Sequence, residues 1–332
     1  MRLLTSTIIF ICYSGIAFAQ QNQGQKSKIL AVSFIKKSGE YTNARDSADY
    51  IRLISEPDSG STLFNASELY RNGKQKFLGK SSKRNYLSPE GQCITYYPNG
   101  VKKSVENYKD GKPFGLCYFF YPNGKIYHSK EFEQHRSNDE SIEGNTNFNY
   151  LIKDCLDSTG KVLVQNGNGH FVGYDDNFKT IEEQGTVKAG KRDSAWTGRD
   201  SGLKIQFTEQ YADGKLVSGE STDSAGLKHP YTSRMIEPQY KGGMLALYKY
   251  LGNNISYPDD ARKNDIEGTV ILAFVVKKDG SLKDIKVARS ADQQLDAEAV
   301  RVLSRSHGWK PGMYYGVPVS VKYQLPVTFA LK

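Results

Sequence analysis

The feature that most constrains the fold is an internal echo at a spacing of 24 residues. Gly91-Gln92-Cys93-Ile94-Thr95-Tyr96-Tyr97-Pro98-Asn99-Gly100 recurs as Gly115-Leu116-Cys117-Tyr118-Phe119-Phe120-Tyr121-Pro122-Asn123-Gly124. The same offset relates Gly190-Lys191 to Gly214-Lys215, with Val187 and Tyr211 at matching positions, and Tyr70-Arg71-Asn72-Gly73-Lys74 reads as a degenerate copy. Pro presets φ, and Asn or Gly accepts a left-handed backbone, so each Pro-Asn-Gly makes a tight turn. Lys109-Asp110-Gly111-Lys112 closes the other end, and Val101 to Tyr108 between them is strand-length. One repeat is therefore one β-hairpin. Successive hairpins add to an antiparallel meander and stack, because a single unit cannot bury its own apolar face.

The register bears on the cysteines. Cys93 and Cys117 hold equivalent places in consecutive hairpins, two strands or roughly 9.6 Å apart, while a disulfide needs Cα atoms within about 7 Å. They are expected to stay unbonded. Beyond Cys12 the chain has only Cys93, Cys117 and Cys155, with no CxxC and no Cys/His cluster, so a zinc site is not expected.

Upstream, Ile29 to Ile35, Tyr50 to Ser55 and Thr62 to Tyr70 also read as strands. Length allows two ordinary domains. Apolar residues at 38% and a mean hydropathy of -0.58 exclude a polytopic membrane protein. The formal charge of +9 is spread over scattered lysines, which reads as a solvated surface rather than a nucleic-acid footprint.

The first residues read as an export signal. Met1-Arg2 is a basic start, Leu3 to Ala19 is uncharged, and Ala17-Phe18-Ala19 has the form of a cleavage site before Gln20. The uncharged run of 17 residues falls short of the ~20 that span a bilayer comfortably. Residues 1–19 are taken as a cleaved signal peptide, with a retained inner-membrane anchor as the alternative. Export places the chain in the periplasm.

Residues 28–220 are assigned to the meander, 221–236 to a linker poor in periodic apolar residues, and 237–332 to a compact C-terminal domain. There Met244, Leu247, Tyr248 and Leu251 form one helical stripe, and Leu295, Ala299, Val302 and Leu303 form another with Asp292 near its start. Ile271 to Lys277 and Ile285 to Arg289 flank a Lys278-Asp279-Gly280 turn. The final segment, Val319 to Leu331, alternates apolar and polar residues and reads as one long strand. Pro326 confines it to a sheet edge, because Pro has no N–H to give to a neighbour. Two readings stay open from the pattern: an edge that accepts a partner's strand, or a strand that closes the core with Pro326 discouraging pairing.

The repeats resemble MORN-like repeats of secreted bacterial proteins over roughly Ser67 to Gly219, with a poor match from Gln134 to Gly167. The C-terminal segment resembles the TonB C-terminal domain through Tyr240-Lys241-Gly242-Gly243, Asn254-Ile255-Ser256-Tyr257-Pro258, Ile266-Glu267-Gly268-Thr269-Val270, Asp279-Gly280, Asp296-Ala297-Glu298-Ala299, Trp309-Lys310-Pro311-Gly312 and Pro326-Val327. That resemblance implies two helices on a small antiparallel sheet, so the chain is expected to be α+β overall: an N-terminal antiparallel β-meander of MORN-like hairpins, then a two-layer α+β domain. It also implies binding of short peptides of TonB-dependent outer-membrane transporters by strand addition, at Tyr257, Pro258, Val319, Val321, Tyr323, Leu325, Val327 and Phe329. Inner-membrane motor proteins would be further partners if an anchor is kept. Without one, a non-energised envelope adaptor is the competing reading.

No constellation supports an enzyme. Gly73 to Ser81 has five residues between the glycines where a phosphate loop needs four. Gly167-Asn168-Gly169 lacks the third glycine in register, and no G-x-S-x-G elbow occurs. His128, His135, His170, His229 and His307 show no metal spacing. No catalytic residue, cofactor, metal, small-molecule substrate or nucleic-acid partner is expected. Asp259-Asp260 reads as the acidic first turn of a short helix, and Trp196 and Trp309 as core anchors.

Overall fold

The computed structural model describes residues 28–133 and 150–331. The export segment, with Ala17-Phe18-Ala19, lies outside the described residues. The chain forms two compact units, one from residues up to 125 with 132–133, the other from residues 126–131 with 150–331.

The first unit is a meander. Its strands are β1 (Ile29–Ile35), β2 (Tyr41–Thr42), β3 (Tyr50–Ser55), β4 (Phe64–Tyr70), β5 (Gln75–Ser81), β6 (Pro89–Tyr96), β7 (Lys102–Lys109), β8 (Lys112–Pro113) and β9 (Gly115–Phe120). From β3 to β7 each pairs antiparallel with the next, and β7 pairs with β9. The repeated turns are linked to one another. Gly100 donates to the Tyr97 carbonyl and Gly124 to that of Tyr121, at 2.8 and 2.9 Å. The side chain of Asn99 then donates to the Pro122 carbonyl of the next turn (3.1 Å), and Asn72 does the same to Pro98 (3.4 Å). Tyr70 and Tyr97 donate their hydroxyls to the backbone of the following hairpin at Tyr96 and Phe120, both 2.7 Å. The Tyr70-Arg71-Asn72-Gly73 copy is thus a working turn. Cys93 on β6 and Cys117 on β9 flank β7, and both are buried free thiols.

The second unit begins with β10 (Ile126–Phe132, whose last residue counts with the first unit), β11 (Tyr150–Leu156), β12 (Val162–Gln165), β13 (Asn168–Tyr174), β14 (Ile181–Lys188), β15 (Lys191–Asp200), β16 (Ile205–Ala212), β17 (Lys215–Thr222) and β18 (Lys228–Tyr231). From β11 to β18 they form a second run of antiparallel neighbours. Glycines here lie under aromatic rings on the next strand: Gly185 opposite Trp196, Gly198 opposite Phe207, Gly219 opposite Tyr231. A Cβ on Gly185 would sit 2.3 Å from the Trp196 ring, so only glycine leaves that ring its place. Trp196 is fully buried, as a core anchor should be.

The segment 221–236, expected as a linker, is instead built into the structure. β18 pairs with β17, and β19 (Met235–Ile236) pairs with β24 (Gly312–Tyr314). Its few apolar residues bond through backbone and Tyr231, which a search for apolar periodicity does not detect.

The C-terminal part continues with β20 (Gln239–Tyr240), α1 (Gly243–Asn254), α2 (Asp259–Lys263), β21 (Gly268–Val276), β22 (Leu282–Arg289), α3 (Gln293–Ser304), β23 (Trp309–Lys310), β24, β25 (Val317–Val319) and β26 (Val321–Phe329). Asp292 caps α3 by accepting from the Gln294 amide at 2.8 Å, and Asp259 and Asp260 open α2. Three strands, ordered β22-β21-β26, pack against the helices through Leu247, Leu251, Leu272, Phe274, Leu295, Val302, Leu303, Trp309 and Leu325. The chain is therefore largely antiparallel β, with an α+β C-terminal layer. Of the first helical stripe, Leu247 and Leu251 are buried, but Met244 and Tyr248 face solvent.

Candidate functional site

β21 is the centre of the three-stranded sheet, so β22 and β26 are its edges, and they differ. β22 is interrupted by two register shifts against β21. Asp284 within it holds a left-handed φ of 56°, and Lys283, Lys286 and Arg289 decorate it. Bulges and basic side chains are the usual protection of an edge against further pairing. β26 instead runs in unbroken register with β21 from Val321↔Val276 to Phe329↔Gly268. Among the described residues β26 pairs with no other strand.

Along an antiparallel strand the N–H and C=O of successive residues point alternately to one neighbour and the other. Pro326 sits opposite Ile271 without disturbing the ladder, which places the proline in the outward class, where no N–H is missed. Thr328 and Thr269 support the same phase: their hydroxyls meet at 3.0 Å across the pair, as in the closer, non-hydrogen-bonded pairing. The outward groups are then the amides of Lys322, Gln324 and Thr328, with the carbonyls of these residues and of Pro326.

The expected site residues divide accordingly. Val321, Tyr323, Leu325, Val327 and Phe329 all lie on β26. Their side chains turn to the helices, and Leu325, Val327 and Phe329 are buried in the core. They hold the strand in place, while the outward backbone of Lys322, Gln324, Pro326 and Thr328 lies along the open edge of the sheet. None of the four is among the expected binding positions, although Pro326 marks the edge and the polar half of the same alternation marks Lys322, Gln324 and Thr328. The strand is shorter than the Val319 to Leu331 expected. Val319 belongs to β25, opposite Gly312 on β24, in a different sheet from β26. Tyr257 packs edge-on against Phe329 (centroids 5.8 Å, 87°) and donates its hydroxyl to the Ile266 carbonyl at 2.6 Å. Burial, then the charge of Glu267, pushes its phenol up. Pro258 precedes α2 as its cap residue. Tyr257 supports the far end of the core under β26.

The other end of β26 is anchored through β25. The β24–β25 hairpin turns at Tyr315-Gly316, and Tyr315 carries a left-handed φ of 51°, rare for a bulky side chain. Its amide donates to the Arg234 carbonyl and its carbonyl accepts from the Ser221 hydroxyl, both at 2.7 Å. Its ring stacks on Phe207 (4.8 Å, 21°) and meets Tyr231 edge-on (5.7 Å, 86°). Beneath it Glu209, wholly buried, accepts from Arg234 Nε at 2.7 Å, from Arg234 Nη2 at 2.5 Å and from Tyr231 at 2.9 Å. Arg234 is only partly buried, and desolvation opposes its charge, yet its hydrogen bonds to Glu209 and the charge of Glu183 hold its pKa above the usual value. Charged residues scattered over 50 positions of sequence give no local signal of this cluster.

Among the described residues no three His, Cys, Asp or Glu side chains converge on a metal-sized site, and no helix is long and apolar enough to cross a membrane. Residues 253–331, about a quarter of the chain, match the family described as the Gram-negative bacterial TonB protein C-terminal. Two NMR solution structures of the Helicobacter pylori TonB C-terminal domain, a longer and a shorter piece, are similar at 24% identity and a TM-score of 0.22. Each covers 27% of this chain, and they are covered over 80% and 94% of their own lengths. No curated protein matches.

Proposed function

We propose that this chain is a TonB-like protein of the cell envelope that binds short extended segments of outer-membrane transporters by adding them as a fourth strand beside β26, in support of energy-dependent transport. The observation that carries this reading is the contrast of edges within a domain that matches the TonB C-terminal family: β22 bulged and basic, β26 in unbroken register with β21 and, among the described residues, open on its other side. Main-chain bonds along a free edge supply affinity for any extended peptide, and alternate side chains supply selectivity. The β24–β25 anchor gives β26 a fixed base against the β15–β18 sheet, so a pull on the bound strand is borne by packed rings and a buried ion pair.

Hydrogen exchange on the full chain tests this. Peptides copied from the N-terminal segments of outer-membrane transporters should slow exchange across 321–329 and leave 282–289 unchanged. Absence of protection at 321–329 at saturating peptide refutes strand addition. Membrane fractionation then separates the two roles of such a binder. Inner-membrane association favours the transducer, and a freely soluble mature form favours a non-energised adaptor.

A further inference from the structure

α1 exposes more apolar surface than a helix facing only water should. Met244 is 38% exposed, Tyr248 50% and Leu245 84%, three large apolar side chains within five positions. The geometry of the layer shows which way they face. Leu247 and Leu251 define the buried side of α1, and Tyr250 marks the flank toward α3, its hydroxyl donating to the Val302 carbonyl at 3.2 Å. At 3.6 residues per turn, Met244, Tyr248 and Leu245 lie on the flank away from α3. α3 covers β22 and β21. With the sheet ordered β22-β21-β26, the flank of α1 away from α3 is the one on the β26 side. Tyr248 is in fact near enough to Tyr323 on β26 to help raise its phenol, after burial and the charge of Glu237.

Widths agree with this placement. Two packed helices cover about 20 Å, and three strands about 14 Å. A two-helix layer is thus wider than a three-stranded sheet by about one strand spacing.

We infer that the Met244–Leu245–Tyr248 flank reads the side chains of the strand added at β26, and that this strand carries a bulky apolar residue, of the leucine or phenylalanine kind, abreast of Tyr323. The inference rests on the strand-addition reading above. Neighbours across a sheet keep their Cβ atoms about 5 Å apart on one face, so the residue beside Tyr323 projects to the helix side and meets Tyr248 and Met244. An extended segment with only small or polar residues at that phase would bond to the edge but leave the flank wet. The backbone thus admits an extended chain, and α1 selects among such chains.

The test uses the full chain and ten-residue transporter peptides in which each position in turn is set to Ala or Leu. Affinity is read by fluorescence anisotropy, and the binding mode by exchange protection over 321–329. One apolar position should lose about tenfold in affinity on truncation to Ala. In Met244→Ser/Tyr248→Ser the parent peptide should bind about tenfold more weakly, the same truncation should add nothing, and protection of 321–329 should persist at saturation. All the altered side chains are exposed, so the fold should be kept, and Leu245→Ser serves as a second variant. Protection at β26 with affinities indifferent to these substitutions overturns the inference and leaves strand addition standing. No protection with any peptide removes both.

Discussion

Replacing Arg234 by Met tests whether the buried ion pair holds the second unit together. Glu209 has 0% of its side chain exposed. In the native protein it accepts from Arg234 through two nitrogens and from the hydroxyls of Tyr231 and Tyr211, at 2.9 and 3.1 Å. Arg234→Met keeps an apolar stem between Phe207 and Tyr315, which the guanidinium now covers at 5.1 and 5.2 Å. It leaves the carboxylate with phenols alone. Removing one partner of a buried pair costs ~3–5 kcal/mol, because the remaining charge is left without compensation. The lost cation–π contact adds about 1 kcal/mol more. Against a typical total stability of ~5–15 kcal/mol this is a large fraction. Both tryptophans of the chain, Trp196 and Trp309, lie in the second unit, so urea unfolding followed by tryptophan fluorescence reports that unit. The double variant Arg234→Met/Glu209→Gln neutralises the orphaned charge and should recover at least ~2 kcal/mol of the loss. A single variant within about 1 kcal/mol of the parent, or a double no more stable than the single, would refute the assignment of the pair as a structural clamp.

Other outcomes follow from the same geometry. Gln324→Pro deletes an outward amide and spares the β21 ladder, so thermal stability should change little while transporter-peptide binding falls at least tenfold; an unchanged affinity, measured by anisotropy, contradicts the phase assigned to β26. Gly185→Ala drives a methyl into the Trp196 ring and should destabilise by about 1–3 kcal/mol in the same urea assay. Burial, and secondarily the charge of Lys130, holds His128 well below its ordinary 6.5. The unfolded chain therefore takes up a proton below that value which the folded chain refuses, and stability should fall as pH drops from about 6.5, by up to ~1.4 kcal/mol per pH unit. His128→Gln should flatten that part of the pH profile, seen in urea midpoints between pH 7.5 and 5. Burial pushes the thiols of Cys93 and Cys155 up to about 11, so thiol-specific reagents at pH 7 should label them only on unfolding, as mass spectrometry will show.

Much of the architecture was legible because it is written in local chemistry. Ile29 to Ile35 and Tyr50 to Ser55 were readable as strands to their end residues. Pro-Asn-Gly and Asp-Gly mark the turns since few other sequences accept their backbone angles, and Asp292 announces the start of α3. Residues 221–236 read as a linker because β18 and β19 join their neighbours by backbone bonds, which hydropathy does not register. The helical stripe of α1 was half right: period 3.6 identifies a helix, but not how far its apolar face extends past the core. Likewise the alternation of the final strand identifies which side chains go inward, whereas what an open edge offers is its outward backbone.

The sequence alone determined the hairpin units, the two longer C-terminal helices and the edge character that Pro326 imposes, since each depends on residues a few positions apart. Only the tertiary structure decided that β26 is the straight edge and β22 the bulged one. It alone brings Glu183, Glu209 and Arg234 together, and it alone seats Tyr315 in a backbone conformation that its own side chain disfavours. Those outcomes are set by contacts between distant segments, whose combined packing and hydrogen bonding outweigh local preference.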